Sequence, residues 1–151
     1  MRRLYLVLIG AAVLAFLALS GILARAFSVD SAERSAITSL VQAEARGDAA
    51  AMVPLINGCS RSSACRSRVA ANASVLRRPG SVAIIQIQTS AGFSLTGTLG
   101  TARVAWTAGG SLPIVQCVRV RRAGNVLSGL HVELLEISAR IKSDADCPAR
   151  Y

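Results

Sequence analysis

The residues best suited to acid–base chemistry lie in an alternating segment near the C-terminal end of the chain. His131 and Glu133 are two residues apart, so on a β-strand both side chains point to the same face. A histidine beside a carboxylate can act as a general base with an orienting partner. Leu130, Val132 and Leu134 then form the other face, which is also the pattern of a strand with one hydrated face. Both interpretations of the His131–Glu133 pair stay open.

Other catalytic motifs are absent from the sequence. It contains no glycine-rich phosphate loop, no nucleophile elbow and no HExxH motif. Trp106, the only tryptophan, is expected to fill the core. We therefore predict neither a cofactor nor a metal, and we favour a binding role over catalysis.

The four cysteines, Cys59, Cys65, Cys117 and Cys147, all follow the apolar N-terminal segment. An even number of cysteines in an oxidising compartment indicates disulfides. Of the three possible pairings we predict Cys59–Cys65, which closes a short local loop, and Cys117–Cys147, which ties the C-terminal tail to the sheet. The spacings include no Cys-x-x-Cys and the single histidine is distant, so a zinc site is not expected. A reduced, buried pair of thiols is the remaining alternative.

The charge of the chain is strongly positive, with a formal net value of +9. Such a field favours contact with anionic lipid headgroups or acidic wall polymers. All basic residues except Lys142 are arginine, a bias that is also typical of a GC-rich genome. Only 4% of residues are aromatic, so a nucleic-acid surface is not expected. The predicted basic surface comprises Arg61, Arg66, Arg68, Arg77, Arg78, Arg119, Arg121 and Arg122.

The N-terminal segment predicts a membrane anchor. Residues 4–24 carry no charge and are long enough to cross a bilayer as a helix. Arg2 and Arg3 favour a cytoplasmic N-terminus. We predict a single-pass bacterial envelope protein with residues 1–26 as stub and anchor and residues 27–151 as one domain outside the cytoplasm. The sequence Ala24-Arg25-Ala26 also fits a signal-peptidase site, and cleavage after Ala26 would make the domain a secreted one.

Three helices are predicted after the anchor. Asp30 is placed to cap the first, which Gly47 ends. Asp48 is placed to cap the second, which Pro54 must kink or shorten. Ser60 is the predicted cap of the third, and the turn at residues 78–80 follows it.

Four β-strands follow, at residues 82–88, 95–107, 114–122 and 126–141. Gly97 and Gly100 are predicted as bulges and residues 123–125 as a hairpin turn. Glu136 falls on the face opposite His131 unless a bulge intervenes. Short connections favour an antiparallel sheet with the helices on one face, so the predicted fold is α+β, with a polar tail from about residue 142.

The segment at residues 44–52, EARGDAAAM, resembles the A-x-G-D-x-x-A junction between the first two helices of nuclear transport factor 2-like (cystatin-like cone) domains. That resemblance covers roughly residues 30–142. It implies about three helices packed on a curved four-stranded sheet. The superfamily includes enzymes and non-catalytic binding modules, so it implies no activity. Its membrane-anchored members suggest an accessory or structural subunit of an envelope assembly, with protein partners or self-association. The alternative is a small enzyme or ligand-binding module that uses His131 and Glu133.

Overall fold

The computed structural model describes residues 2–90, 97–125, 129–143 and 145–148. They form an α+β fold in which helices precede a four-stranded antiparallel sheet of order β1-β2-β3-β4. The elements are α1 Arg2–Arg46, α2 Ala49–Met52, α3 Ser63–Val75, β1 Val82–Gln88, β2 Thr98–Ala108, β3 Ile114–Asn125 and β4 Gly129–Ile137. The predicted strand starts at residues 95 and 126 lie outside the described residues.

Helix α1 runs without interruption for 45 residues, from the apolar segment into the domain. The predicted new helix start at Asp30 is therefore wrong. No glycine or proline lies between residues 22 and 46, so nothing breaks the helix there. Instead of capping, the Asp30 carboxylate accepts a hydrogen bond from Arg34 one turn later, at 3.2 Å. The helix is about 68 Å long, roughly twice the thickness of a hydrocarbon core.

Short helical segments follow α1. Gly47, with a φ of +76°, ends α1, and the Asp48 carboxylate accepts the Ala51 N–H at 2.9 Å, as predicted. Pro54 limits α2 to one turn, which continues as a 3₁₀ turn at Val53–Leu55. The predicted cap Ser60 lies inside a second 3₁₀ turn, Cys59–Arg61. The hydroxyl of Ser62 caps α3 instead, because the chain is extended there.

Among the described residues of the sheet, the strand register shifts at two positions, and neither is a predicted glycine. One falls at Ile85, because β1 shifts register against β2 between Ile84 and Gln86. The other falls at Leu135, where β3 and β4 shift register. Gly100 pairs in a continuous β2–β3 ladder, and Gly97, with a φ of +74°, lies just before β2.

Strand β3 is longer than predicted at its C-terminal end, and strand β4 is shorter than predicted. The predicted turn at residues 123–125 belongs to β3, which pairs with β4 as far as Asn125. Strand β4 ends at Ile137, and Ile141 makes only an isolated bridge to Val115. The tail then turns back across the outer face, where a disulfide joins Cys147 to Cys117.

The core lies between α1, α3 and the inner face of the sheet. It includes the fully buried Ile37 and Leu40 of α1, Val69 of α3 and Trp106 of β2. Each side chain of this size contributes about 1.5–3 kcal/mol when it leaves water. The core also contains two glutamates of α1, and these define the polar sites described next.

Candidate functional site

The first polar site surrounds Glu33, whose side chain is fully buried. Its carboxylate accepts hydrogen bonds from the Ser90 N–H at 2.7 Å and the Ser90 hydroxyl at 3.0 Å. The Arg122 guanidinium lies 2.7 Å from the same carboxylate and 3.4 Å from that of Asp30. The site therefore joins α1 to the end of β1 and to β3, close to where α1 leaves the apolar segment.

Gly100 makes room for this site. A Cβ atom at Gly100 would lie 2.5 Å from the Cβ of Ser90, closer than two carbons can approach. Glycine is needed here for the close approach of Ser90 to β2, and this explains its place inside a regular strand.

The second polar site surrounds Glu44, which is also fully buried. The Gln116 amide donates to Glu44 Oε1 at 2.9 Å, and Gln116 Oε1 accepts the Trp106 indole N–H at 2.8 Å. The Ser138 carbonyl accepts hydrogen bonds from Gln116 and from the Asn72 amide. The network thus links α1, α3, β2, β3 and the residue after β4 through one carboxyl group.

The Glu44 carboxyl is poised between its charged and neutral forms. Burial raises its pKa from 4.5 to about 7, although hydrogen bonds from the amides of Gln116 and Asn72 lower it. Oε2 of Glu44 is buried and has no hydrogen-bond partner. A carboxyl with this pKa is suited to general acid–base work, provided that a substrate can reach it.

The burial of both glutamates was not predicted, although their spacing in the sequence indicates it. Glu33, Ile37, Leu40 and Glu44 follow one another at intervals of four, three and four residues, which places them on one helix face. An acidic residue at each end of an apolar stripe predicts a buried carboxylate with a polar partner. The partners Gln116 and Arg122 are far away in sequence and only the fold identifies them.

His131 and Glu133 lie on the outer face of the sheet, away from the core. The His131 side chain is 62% exposed, and its Nε2 lies 3.4 Å from Glu133 Oε1. Glu133 also pairs with Arg121 across the strands at 3.4 Å. The bulge at Leu135 brings Glu136 to the same face, where it pairs with Arg119 at 3.5 Å. This ladder of opposite charges is the arrangement of a hydrated strand face.

The eight predicted basic residues lie on different elements of the fold. Arg61, Arg66 and Arg68 lie at the start of α3, and Arg77 and Arg78 follow its end. Arg119 and Arg121 belong to the charged ladder on the outer face. Assigning Arg122 to this surface is wrong, because even-numbered residues of β3 face the core and Arg122 pairs with Glu33.

Four surface cavities are lined by described residues, and neither Glu44 nor Gln116 lines any of the four. One of them, of about 500 Å³, is a groove on the outer face that contains Leu99, Arg119 and Arg121. Leu99 is 63% exposed within it. The described residues also contain no cluster of three or more His, Cys, Asp or Glu side chains that could hold a metal.

The apolar half of α1 is the remaining candidate for a functional surface. Every residue from 8 to 24 is exposed, including large side chains such as Leu14 and Phe16. Within the part of the chain that the structure describes, α1 is the one helix long and apolar enough to cross a membrane. An exposed apolar surface of this extent needs a partner that is itself apolar.

No protein-family model, curated protein or solved structure matches this chain.

Proposed function

We propose that this protein is a membrane-anchored domain outside the cytoplasm that acts by binding, as an accessory or structural subunit of an envelope assembly. The observation that carries the proposal is helix α1, which is exposed and apolar over residues 8–24 and packs one face into the domain core through Ile37, Leu40 and Val41. One half of the helix suits a bilayer and the other half holds the sheet.

Two features support the orientation with the domain outside. Arg2 and Arg3 precede the apolar segment, which favours retention of the N-terminus in the cytoplasm. The disulfides Cys59–Cys65 and Cys117–Cys147, the two pairs predicted from the sequence, are typical of an oxidising compartment. The protein would be single-pass and uncleaved.

The interior of the fold supports binding rather than catalysis. Side chains fill the space between the helices and the sheet, and Trp106 and Gln116 occupy the region beside Glu44. His131 and Glu133, the residues of the alternative enzyme hypothesis, are on the outer face, where each has a charged neighbour. The order of elements, with helices before a four-stranded antiparallel sheet, supports membership of the nuclear transport factor 2-like superfamily as part of this proposal.

The groove around Leu99 is the surface that we assign to a protein partner. It combines an exposed leucine with arginines and a glutamate on an otherwise charged face, a mixture that suits a polar-rimmed contact. It lies on the outer face of the sheet, so a partner would not disturb the core.

Site-specific photocrosslinking in intact membranes tests this assignment. We expect a crosslinker at Leu99 to give one discrete adduct, whereas a crosslinker at Leu112, which is 78% exposed in the β2–β3 turn, gives none. An adduct of twice the mass of the chain would identify the partner as a second copy. Equal labelling at both positions, or none at Leu99, would contradict the proposal.

A further inference from the structure

The disulfide Cys59–Cys65 forms part of the wall of a surface cavity of about 300 Å³. This cavity lies between the start of α3 and the end of β4, and Arg68 and Glu136 also line it. Cys59 is only 1% exposed, whereas Cys65 is partly exposed. Cys65 is therefore the cysteine of this pair that an incoming thiolate would attack, since Cys59 is almost fully buried.

The surroundings of Cys65 favour a negative charge on its sulfur. Cys65 is the third residue of α3, and side chains in a helix lean toward its N-terminus, where the partial charge is positive. Arg66 and Arg68 follow on the same helix, and the sequence contains no acidic residue between Asp48 and Glu133. Glu136 in the cavity wall is paired with Arg119. Such positively charged, partly exposed positions stabilise the thiolate that exchange chemistry requires.

The second disulfide shares the exposure pattern, since Cys147 is partly exposed and Cys117 is buried, but its surroundings differ. Cys147 lies outside any helix and follows the acidic Asp146. Cys117 is 0% exposed in the central strand β3, and its N–H donates to the Ser138 hydroxyl at 2.9 Å. The bond to Cys147 holds the tail against the outer face. It therefore serves as a structural reference within the same chain.

We propose that Cys59–Cys65 is an exchangeable disulfide that takes two electrons from a cysteine pair in an exported polypeptide, while Cys117–Cys147 is structural. This activity goes beyond the binding role proposed above; it rests on the proposed location outside the cytoplasm but not on a partner at the Leu99 groove. In the first step a thiolate of the substrate attacks Sγ of Cys65, the bond to Cys59 breaks, and Cys59 leaves as a thiolate that takes up a proton.

In the second step the other substrate thiolate attacks its own partner sulfur in the mixed disulfide. The substrate disulfide forms, and Cys65 is released as a thiolate near the N-terminus of α3. One protein disulfide becomes two thiols, and one substrate dithiol becomes a disulfide. The reverse exchange with a second disulfide restores the oxidised form.

A redox titration of the full chain in detergent micelles tests the proposal directly. The protein is equilibrated in glutathione buffers of increasing reducing strength, free thiols are alkylated, and the four cysteines are quantified by peptide mapping. We expect Cys59 and Cys65 to become free while Cys117 and Cys147 stay paired and the circular dichroism spectrum is unchanged. Reduction of both disulfides together, reduction of Cys117–Cys147 first, or resistance of Cys59–Cys65 under these conditions would overturn it.

Variants test the roles assigned to the sulfurs of Cys59 and Cys65 and to the guanidinium of Arg68. In the Cys59→Ser variant, oxidised glutathione should form a stable mixed disulfide at Cys65. In the Cys65→Ser variant, the same reaction at Cys59 should be slower by a factor of about ten or more. Arg68→Gln should slow alkylation of the reduced Cys65 severalfold at neutral pH, whereas Arg46→Gln, which removes the same charge from the exposed last turn of α1, should not. Equal rates for the two cysteine variants would refute the accessible role of Cys65.

A synthetic peptide with one cysteine pair tests the electron balance in a single turnover. We expect one peptide disulfide to form for each Cys59–Cys65 bond that is lost. Loss of the protein disulfide without oxidised peptide would contradict the two-step exchange. A failure of photocrosslinking at Leu99 would leave these redox results unaffected, so the two proposals can fail separately.

Discussion

At the scale of single residues, the two buried glutamates of α1 differ in the partners of their carboxyl groups. Glu33 is ionically paired and accepts hydrogen bonds from Ser90 and Arg122. Glu44 has only neutral amide neighbours and one carboxyl oxygen without a partner. Burial without a cationic partner favours the neutral form of Glu44 and raises its pKa.

Glu44 should make the stability of the fold decrease as the pH rises. Its folded-state pKa is raised from 4.5 to about 7, so its contribution is fully present below pH 4.5 and is lost as the pH rises to about 7. Glu44→Gln mimics the neutral acid, and at pH 8 we expect it to raise the free energy of unfolding by roughly 2–3 kcal/mol. Urea unfolding in micelles at pH 5 and pH 8, followed by the fluorescence of Trp106, measures this.

The matched control for Glu44 is Glu136→Gln, which removes the same charge from a side chain that is 43% exposed. We expect it to leave the stability difference between pH 5 and pH 8 unchanged. A Glu44→Gln variant whose unfolding free energy falls in parallel with the wild type between these pH values would refute the assignment.

Removing Arg122 alone from its ion pair with Glu33 should strongly destabilise the fold. Arg122→Met leaves the fully buried Glu33 carboxylate with Ser90 alone, and we expect a loss of about 3–5 kcal/mol. Adding Glu33→Gln should recover part of this loss, since the orphaned charge is then removed. Chemical denaturation of the single and double variants provides the comparison.

The neighbouring residue supplies the control for this experiment. Arg121 is 51% exposed and its pair with Glu133 lies on the hydrated face, so Arg121→Met should cost no more than about 1 kcal/mol. Similar losses for Arg121→Met and Arg122→Met would show that the alternation of faces along β3 is incorrect.

At the scale of elements, α1 differs most from the sequence-based expectation. A polar segment after an apolar one normally predicts the end of one helix and the start of another. Asp30 followed by Glu33 has the form of such a helix start. The same four residues are also compatible with a helix interior, and the tertiary contacts of Glu33 with Ser90 and Arg122 decide between the two. Local patterns contain no information about these distant partners.

The continuity of α1 predicts its hydrogen exchange in a bilayer. In lipid nanodiscs, the amides of residues 24–30 should exchange as slowly as those of residues 37–41 in the core, because the i→i−4 hydrogen bonds are unbroken between them. Intact mass should also show that residues 1–26 are retained. Fast exchange confined to residues 24–30 would indicate a hinge, and a mature chain that begins at Phe27 would indicate a cleaved signal peptide.

At the scale of the whole molecule, the sequence predicted the order of elements and the sheet topology well. Alternation along residues 114–122 and the breakers near residues 79 and 110 are local signals, and the structure reproduces them. The bulges at Ile85 and Leu135 were not predicted, since a bulge depends on how two strands pair. The buried polar networks were missed for the same reason, because their members come from α1, α3, two strands and the segments that follow β1 and β4.

The unbroken course of α1 also determines how the molecule meets its surroundings. Strand β3 runs back along α1, since Gln116 faces Glu44 and Arg122 faces Glu33. In the proposed anchored state, α1 would hold the domain upright on the membrane. The sheet would then stand perpendicular to the bilayer, with both of its faces turned sideways. In that arrangement, the Leu99 groove would be accessible to a second protein anchored in the same membrane, which would reach it by lateral diffusion.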